Sequence, residues 1–166
     1  MQLAEARKQF IQTWARLGGE WGINRTMAQV HALLLVTEKP LSTDEVMEEL
    51  SISRGNANMN LRELMNWNLV YRELVPGERK EYFKAEKDMW EVAKRIARER
   101  KRREIEPVLR DLSQLQNVED ESPEAQKFVK TVKDIHGLAS KMDRSVETML
   151  KADENWFFGA ILKLLR

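Results

Sequence analysis

The stretch that decides the fold is LSTDEVMEELSISRGNANMNLREL, residues 41–64. Ser42 and Glu45 have the spacing of a capping box, which marks the beginning of a helix. Ser53 is then placed to cap a second helix after a short break. The apolar positions of the two helices are Val46, Met47 and Leu50, followed by Ala57, Leu61 and Leu64. A short helix that leads through a tight turn into a second helix predicts a helix-turn-helix.

The segments on either side extend this pattern. Upstream, Asn24 is a candidate cap for a helix that must end before Pro40. The positions of that helix predicted to face inward are Met27, Val30, Leu33 and Leu34. Downstream, the β-prone runs VYRELV and KEYFKA flank Pro76-Gly77, the pair expected at the centre of a type II turn. Three helices and a hairpin within residues 25–85 predict a winged helix-turn-helix, in a chain that is mainly α with a small β-hairpin wing.

Long helices are predicted outside this region. Before it, Phe10, Trp14, Leu17 and Trp21 form one helical stripe, which Gly18 and Gly19 weaken. After it, a helical period runs from Asp88 to about Leu115, where Pro107 predicts a kink or a new helix. A polar linker then leads to Ser122 and Pro123, expected to be the cap and the first residue of another helix.

That later helix carries a regular heptad pattern, which favours packing against another helix. Its seam consists of Phe128, Val132, Ile135, Ala139, Met142, Val146 and Met149. Asp153 is a candidate cap for a last helix with Trp156, Phe157, Ile161, Leu164 and Leu165. We therefore expect an N-terminal helix at residues 1–22, a winged helix-turn-helix at 23–87 and long C-terminal helices at 88–166.

Composition excludes several classes of function. The 166 residues include no cysteine and two histidines far apart in sequence, which argues against disulfides and against a zinc site. No apolar run approaches the ~18 residues of a membrane span, and MQLAEARKQF lacks the apolar core of a signal peptide. No catalytic motif is present. We expect a cytoplasmic protein that is not an enzyme, uses no cofactor or metal and does not enter a membrane.

The helix after Ser53 has the residues of a DNA-reading surface. Placing its apolar residues inward puts Gly55, Met59, Arg62 and Asn66 on the other side, with Asn56 and Asn58 flanking them. Asparagine pairs with adenine, arginine pairs with guanine, and methionine contacts the thymine methyl group. The alternative is that this side of the helix is only solvated, and that its asparagine amides have no binding partner. On the wing, Arg79 and Lys80 either contact the DNA or only keep the hairpin tip soluble.

The charge balance does not by itself favour nucleic acid. Between Ser42 and Ala85 there are six basic residues and eight acidic ones. Phosphate binding therefore requires the basic residues at the interface and the acidic ones turned away, and a second copy of the domain doubles the contacts. The basic run KRIARERKRR at residues 94–103 is interpreted as a solvated helix face with ion pairs, with contact to the DNA backbone as the alternative. The alternative to DNA binding is that the winged helix is an interaction module that uses its outer face to bind protein, which the acidic balance would suit.

Several stretches together resemble the GbsR-like branch of the MarR superfamily of transcriptional regulators. They are WGINRTMAQVHALLL, PLSTDEVMEELSISRGNANMNLRELMNWNLV, PGERKEYFKAEKDMW and RKRREIEPVL, within residues 8–115. The stretch SRGNANMNLREL, residues 53–64, is the most specific. The sequence departs from the family at Asn68, where glycine is common before the wing, although asparagine tolerates a positive φ.

The resemblance implies a homodimeric winged-helix regulator, in which the N-terminal helix of residues 1–22 and the C-terminal helices of residues 88–166 serve dimerisation. We expect it to be a repressor of an inverted-repeat operator in double-stranded DNA. Carried onto this chain, the DNA-facing residues are Ser53, Arg54, Asn56, Asn58, Met59 and Arg62, with Arg79 on the wing. It also implies a small-molecule effector where the dimerisation helices meet the winged helix.

Three tryptophans are candidates for the effector site: Trp14, Trp21 and Trp90. Their aromatic faces suit a quaternary ammonium osmolyte through cation–π attraction. The alternative is core packing, to which aromatic residues at helical spacing contribute buried area. Trp67 and Trp156 are interpreted as packing residues.

Overall fold

The computed structural model describes residues 1–164, except for the side chains of Ala160 and of residues 162–164. The chain divides into two compact units, Met1–Val92 and Ala93–Arg166. The first unit contains the predicted winged helix-turn-helix. Its elements are α1 Leu3–Glu20, α2 Arg25–Val36, β1 Leu41–Ser42, α3 Thr43–Leu50, α4 Arg54–Asn66, β2 Val70–Glu73 and β3 Tyr82–Ala85, and α5 Met89–Arg100 begins in it.

The wing is a three-stranded antiparallel sheet in the order β1-β3-β2. The predicted hairpin is present, with Val70 opposite Ala85 and Glu73 opposite Tyr82. The prediction of two strands was incomplete, because Leu41 pairs with Phe83 and Ser42 with Tyr82. The missed strand is two residues long and leads directly into a capped helix. It is therefore too short to show the alternating apolar and polar pattern by which a strand is predicted.

The predicted helix caps are confirmed. The side chain of Asn24 accepts a hydrogen bond from the backbone N–H of Met27. Ser42 Oγ accepts from the backbone N–H of Glu45, while Glu45 Oε2 accepts from that of Ser42 at 2.7 Å, which completes the capping box. Ser53 accepts from the backbone N–H of Asn56 at the beginning of α4. These bonds satisfy N–H groups that a helix leaves free in its first turn.

Two residues with positive φ shape the wing as predicted. Gly77 has φ +88°, and the Glu78 N–H donates to the Val75 carbonyl at 3.1 Å across the Pro76-Gly77 turn. Asn68 has φ +57° where α4 leads into β2. The position therefore requires the left-handed region, which asparagine adopts more readily than most residues.

The core of the first unit forms around α2. Its residues Met27, Val30, Leu33 and Leu34 are buried as predicted. The inner face of α4 is buried too, with Ala57, Leu61 and Leu64 each at most 1% exposed. This packing fixes the rotation of α4 about its own axis.

Lys87 ties the segment after the wing to the end of α2. Its Nζ donates to the carbonyls of Leu34, Leu35 and Thr37 at 2.6–2.9 Å. A lysine in this position satisfies carbonyls that the last turn of a helix leaves free and favours the negative end of the helix dipole.

The predicted stripe on α1 is only partly buried. Trp14 packs against Phe10 and His31, with ring centroids 5.8 and 5.9 Å apart. Leu17 is 42% exposed and Trp21 is 56% exposed. Residues 1–22, which we assigned to dimerisation, lie in the same compact unit as the winged helix.

The second unit consists of helices. After the rest of α5 come a π-helical segment Lys101–Ile105, α6 Glu106–Gln114, α7 Pro123–Lys151 and α8 Glu154–Leu164. Pro107 is the second residue of α6, and the π-helical segment directly before it is the irregularity that the proline predicted. Ser122 caps α7, and the Asp153 side chain accepts from the Trp156 N–H at the beginning of α8, as predicted.

Lys101 joins the π-helical segment to α7. Its Nζ lies 3.1 Å from Glu106 Oε1 and from Asp143 Oδ1, and 3.6 Å from Glu147 Oε2. Hydrogen bonding to Glu106 and then to Asp143 raises the pKa of Lys101 above its ordinary value. The ion pairs predicted for the basic run are also present, because Glu99 binds Arg102 and Arg103, and Arg100 binds Glu104.

The heptad seam of α7 is partly buried within the chain and partly exposed. Val132 is buried, whereas Phe128, Ile135 and Met142 are 46–57% exposed. The interpretation of Trp156 as a packing residue was wrong for a single chain, because its side chain is 55% exposed. Leu165 lies outside the described residues, as does the side chain of Leu164.

A first prediction concerns the contact between α1 and α2. A Cβ atom at Gly18 would lie 2.8 Å from the Cβ of Ala28, whereas one at Gly19 would meet nothing within 4 Å. We expect Gly18→Ala to lower the free energy of unfolding by about 1–3 kcal/mol through overpacking. The matched Gly19→Ala should raise it by about 0.5–1 kcal/mol, because alanine is the better helix former. Urea unfolding followed by circular dichroism measures both, and equal shifts would contradict the close approach.

A second prediction concerns acid stability. His31 is 3% exposed, and its burial, followed by the positive charge of Lys87, lowers the pKa of His31 from 6.5 to about 4. Between these pH values the unfolded chain binds a proton that the folded chain does not. The folded state should therefore lose up to about 3 kcal/mol as the pH falls through this window, and keep the full contribution above pH 6.5.

Urea titrations at pH 7 and pH 4 measure this loss. His31→Phe keeps an aromatic ring beside Trp14 and removes the titrating group, so its stability should fall less over the same interval. An identical fall in the parent protein and the variant would show that His31 does not carry the effect.

Candidate nucleic-acid interface

The outer side of α4 carries the residues expected there. Gly55, Arg62 and Asn66 are exposed, and Met59 is 59% exposed. Ser53 and Arg54 are also exposed at the beginning of the helix. These positions can reach a ligand because the opposite side of α4 is buried in the core. Their contacts with DNA stay a prediction.

The asparagines of α4 divide into two kinds. Asn60 is buried, and its Nδ2 donates to the carbonyl and to the Oδ1 of Asn56 at 2.8 and 2.7 Å. Asn60 is therefore a structural residue; its spacing from Ala57 and Leu64 is the signal in the sequence that places it inward. Asn58 Oδ1 accepts a 3.4 Å hydrogen bond from Thr43 Oγ1. The amide nitrogens of Asn56 and Asn58 make no hydrogen bond within residues 1–164, so they are available as donors.

The predicted interface contains four basic residues, of which two form ion pairs and two form none among the described residues. Within the described part of the chain, Arg62 and Arg79 form no ion pair, and both are exposed. Arg54 Nη2 instead pairs with Asp44 Oδ1, and Lys80 Nζ lies 3.3 Å from Asp44 Oδ2. One carboxylate thus links the first residue of α4 to the wing.

Asp44 was missed by sequence reasoning. It is the second residue of α3, ten positions before Arg54 and 36 before Lys80, so no local spacing connects the three. Hydrogen bonds from Lys80 and then Arg54 lower the pKa of Asp44 below its ordinary value. The carboxylate is therefore ionised at neutral pH. Phosphate binding was expected to require that acidic residues be turned away from the interface. Asp44 is an exception, because it pairs with two of the basic residues there.

The other two basic residues of the wing are paired within the sheet. Arg72 Nη1 lies 2.9 Å from Glu81 Oε1, and Lys84 pairs with Glu73. The Lys84–Glu73 pair joins β3 to β2, whereas Arg72 of β2 pairs with the residue directly before β3. These arginine and lysine side chains were not predicted to contact DNA.

The three candidate tryptophans do not share the cleft that the first unit presents. This cleft, of about 620 Å³, lies among α1, α2 and α3, and its walls include Arg7, Lys8, Gln29, Leu33, Leu50 and Ser51. Neither Trp14, Trp21 nor Trp90 belongs to its walls. Trp14 packs on Phe10 and His31, which agrees with the alternative of core packing, while Trp67 is 8% exposed and donates to Glu63.

Neither a membrane-spanning helix nor a metal-binding cluster is present within residues 1–164. No helix there is long and apolar enough to cross a membrane. No group of three or more histidine or acidic side chains in that range could hold a metal ion.

Comparison with known proteins identifies a similar family and a similar fold. A MarR family model matches residues 21–81, which include α2 to α4 and most of the wing. YvaV of Bacillus subtilis (strain 168), named as an HTH-type transcriptional regulator, is 22% identical over 89 residues. That alignment covers 54% of this chain and 50% of the relative, so the chain matches about half the length of this curated protein.

Solved structures extend the likeness beyond the winged helix. A crystal structure described as a transcriptional regulator has a TM-score of 0.66 and 19% identity, covering 87% of this chain and 95% of its own. At this identity the match shows a shared fold. A mutant of S. aureus MepR bound to an oligodeoxyribonucleotide matches with a TM-score of 0.39 and 13% identity, covering 98% of this chain and 89% of its own, which is too low to establish a common fold. The geometry shows a winged helix-turn-helix, and over residues 21–81 the sequence is similar to the MarR family.

Proposed function

We propose that this protein is a homodimeric transcriptional regulator of the GbsR-like branch, which represses by reading an inverted-repeat operator in double-stranded DNA. In this proposal α4 enters the major groove and the wing contacts the neighbouring backbone or minor groove. Two copies of α4 about 34–36 Å apart would reach successive major grooves on one side of the duplex.

The observation that carries the proposal is the outer side of α4. Met59 and Arg62 are exposed one turn apart, the beginning of the helix is exposed, and Arg79 on the wing is free of ion pairs within the described residues. Arginine and methionine can read a guanine edge and a thymine methyl group, and the N–H groups at a helix N-terminus suit phosphate. A solvated helix side does not require this combination.

Dimerisation is supported by an apolar stripe on α7. Phe128, Ile135, Leu138 and Met142 follow one side of the helix and are 46–62% exposed. Exposed apolar side chains in this number along a heptad seam favour a partner helix. A second copy of this chain would supply both this partner helix and the second α4.

In this proposal a small molecule controls DNA binding from the cleft among α1, α2 and α3. The walls of the cleft include Leu50 and Ser51, which directly precede the turn into α4. A ligand that favours one arrangement of these walls would change where α4 lies, and so the affinity for DNA. The role of the three tryptophans with a quaternary ammonium ligand stays a prediction.

A third prediction tests DNA reading at Arg62. Titration of random-sequence duplexes by fluorescence anisotropy at low salt should show binding that weakens steeply as salt rises. On a site selected from random duplexes, Arg62→Ala should cost about 1–3 kcal/mol through loss of a base contact. Arg110→Ala removes the same charge from an exposed position on α6, outside the proposed interface, and is the control.

The protein-binding alternative makes the opposite prediction. If the parent protein binds no duplex at low salt, the module that binds protein becomes the better account. If Arg62→Ala and Arg110→Ala weaken the selected site equally, DNA is bound but α4 does not read it.

A fourth prediction tests the dimer. Ile135→Glu puts a charge into the middle of the apolar stripe and should convert the dimer to a monomer, as measured by sedimentation equilibrium. Arg144→Gln changes the net charge by the same amount at an exposed position nine residues further on, on the opposite side of α7, and should leave the dimer intact. A parent protein that is monomeric at micromolar concentration would remove this part of the proposal.

A further inference from the structure

The single carboxylate of Asp44 holds two of the four basic residues of the proposed interface. Arg54 comes from the first turn of α4 and Lys80 from the segment between the strands of the wing, and both contact Asp44 through separate oxygens. We propose that Asp44 limits the affinity of this interface for DNA of any sequence, because its carboxylate occupies these two cations in place of DNA phosphate. This inference rests on the proposed function.

The geometry suits exchange between a carboxylate and a phosphate. Both anions accept charge-assisted hydrogen bonds from arginine and lysine. All three side chains are 43–62% exposed, so a phosphate can approach the cations from solvent. Exposed ion pairs of this kind are weak. The pairs can therefore open when phosphates are held close by other contacts, and otherwise they stay closed.

The other two cations provide that other contact. Arg62 and Arg79 form no ion pair within the described residues, and are ready to bind when the protein meets DNA. On any duplex, phosphates held near Arg54 and Lys80 by these contacts compete with Asp44 for the two cations. The ion pairs of Asp44 must open before either cation binds phosphate, and its negative charge, left beside the backbone after exchange, repels the DNA. Both effects lower the affinity for every sequence.

The test compares two charge-matched variants. Asp44→Asn frees Arg54 and Lys80 at the proposed interface, whereas Glu73→Gln frees Lys84 within the wing sheet. Each variant raises the net charge by one. Affinity is measured by anisotropy over a range of salt, on random-sequence duplex and on the site selected with the parent protein.

We expect Asp44→Asn to bind random duplex about tenfold more tightly than Glu73→Gln does. Its salt slope on random duplex should be steeper by roughly one to two, as two more phosphate contacts require. On the selected site Asp44→Asn should also bind more tightly than Glu73→Gln, because the same ion pairs must open there. Asp44→Glu keeps a carboxylate and should bring both affinities back toward the parent value.

The direction of the change separates this role from a structural one. A variant that is partly unfolded loses affinity for both duplexes, whereas removal of the competing carboxylate raises it. Equal affinities and salt slopes in Asp44→Asn and Glu73→Gln, or weaker binding by Asp44→Asn, would overturn the inference while leaving the proposed function intact. No binding by the parent protein to any duplex would instead overturn the proposed function.

Discussion

The arrangement of the first unit depends on the packing of the inner face of α4. Ala57, Leu61 and Leu64 are almost completely buried, and rotating α4 would expose them and bury polar residues in their place. Asn60 reinforces this choice, since its buried amide finds its partners on Asn56 of the same helix. The buried face thus determines the exposed one. The candidate interface is the side of α4 that the hydrophobic core leaves out.

Electrostatics then determines which cations on that side are free. The segment from Ser42 to Ala85 has two more acidic than basic residues, so general attraction to DNA is weak. The structure distributes these charges unevenly. Arg72 and Lys84 pair within the wing sheet and Asp44 binds Arg54 and Lys80, whereas Arg62 and Arg79 form no ion pair among the described residues. A surface with few free cations depends more on base contacts than a uniformly basic one.

In the second unit, ion pairs connect the helices, whereas several apolar side chains of α7 are exposed. Lys101, held by three acidic groups, joins the π-helical segment to α7, and Glu99 neutralises two neighbouring arginines. The basic run thus stabilises the helices of this unit, in agreement with the interpretation from its sequence. The apolar residues that these contacts leave exposed on α7 are those that a partner helix would cover.

Local patterns in the sequence determined the elements of this protein. The caps at Asn24, Ser42 and Ser53, the turn at Gly77 and the inward residues of α4 depend on neighbours within a few positions, so spacing alone predicts them. Strand β1 and the ion pairs of Asp44 were decided by tertiary structure, because their partners lie 10 to about 40 residues away. The same holds for the divided seam of α7: periodicity identifies an apolar side of a helix, but only the folded chain decides which part of it remains exposed.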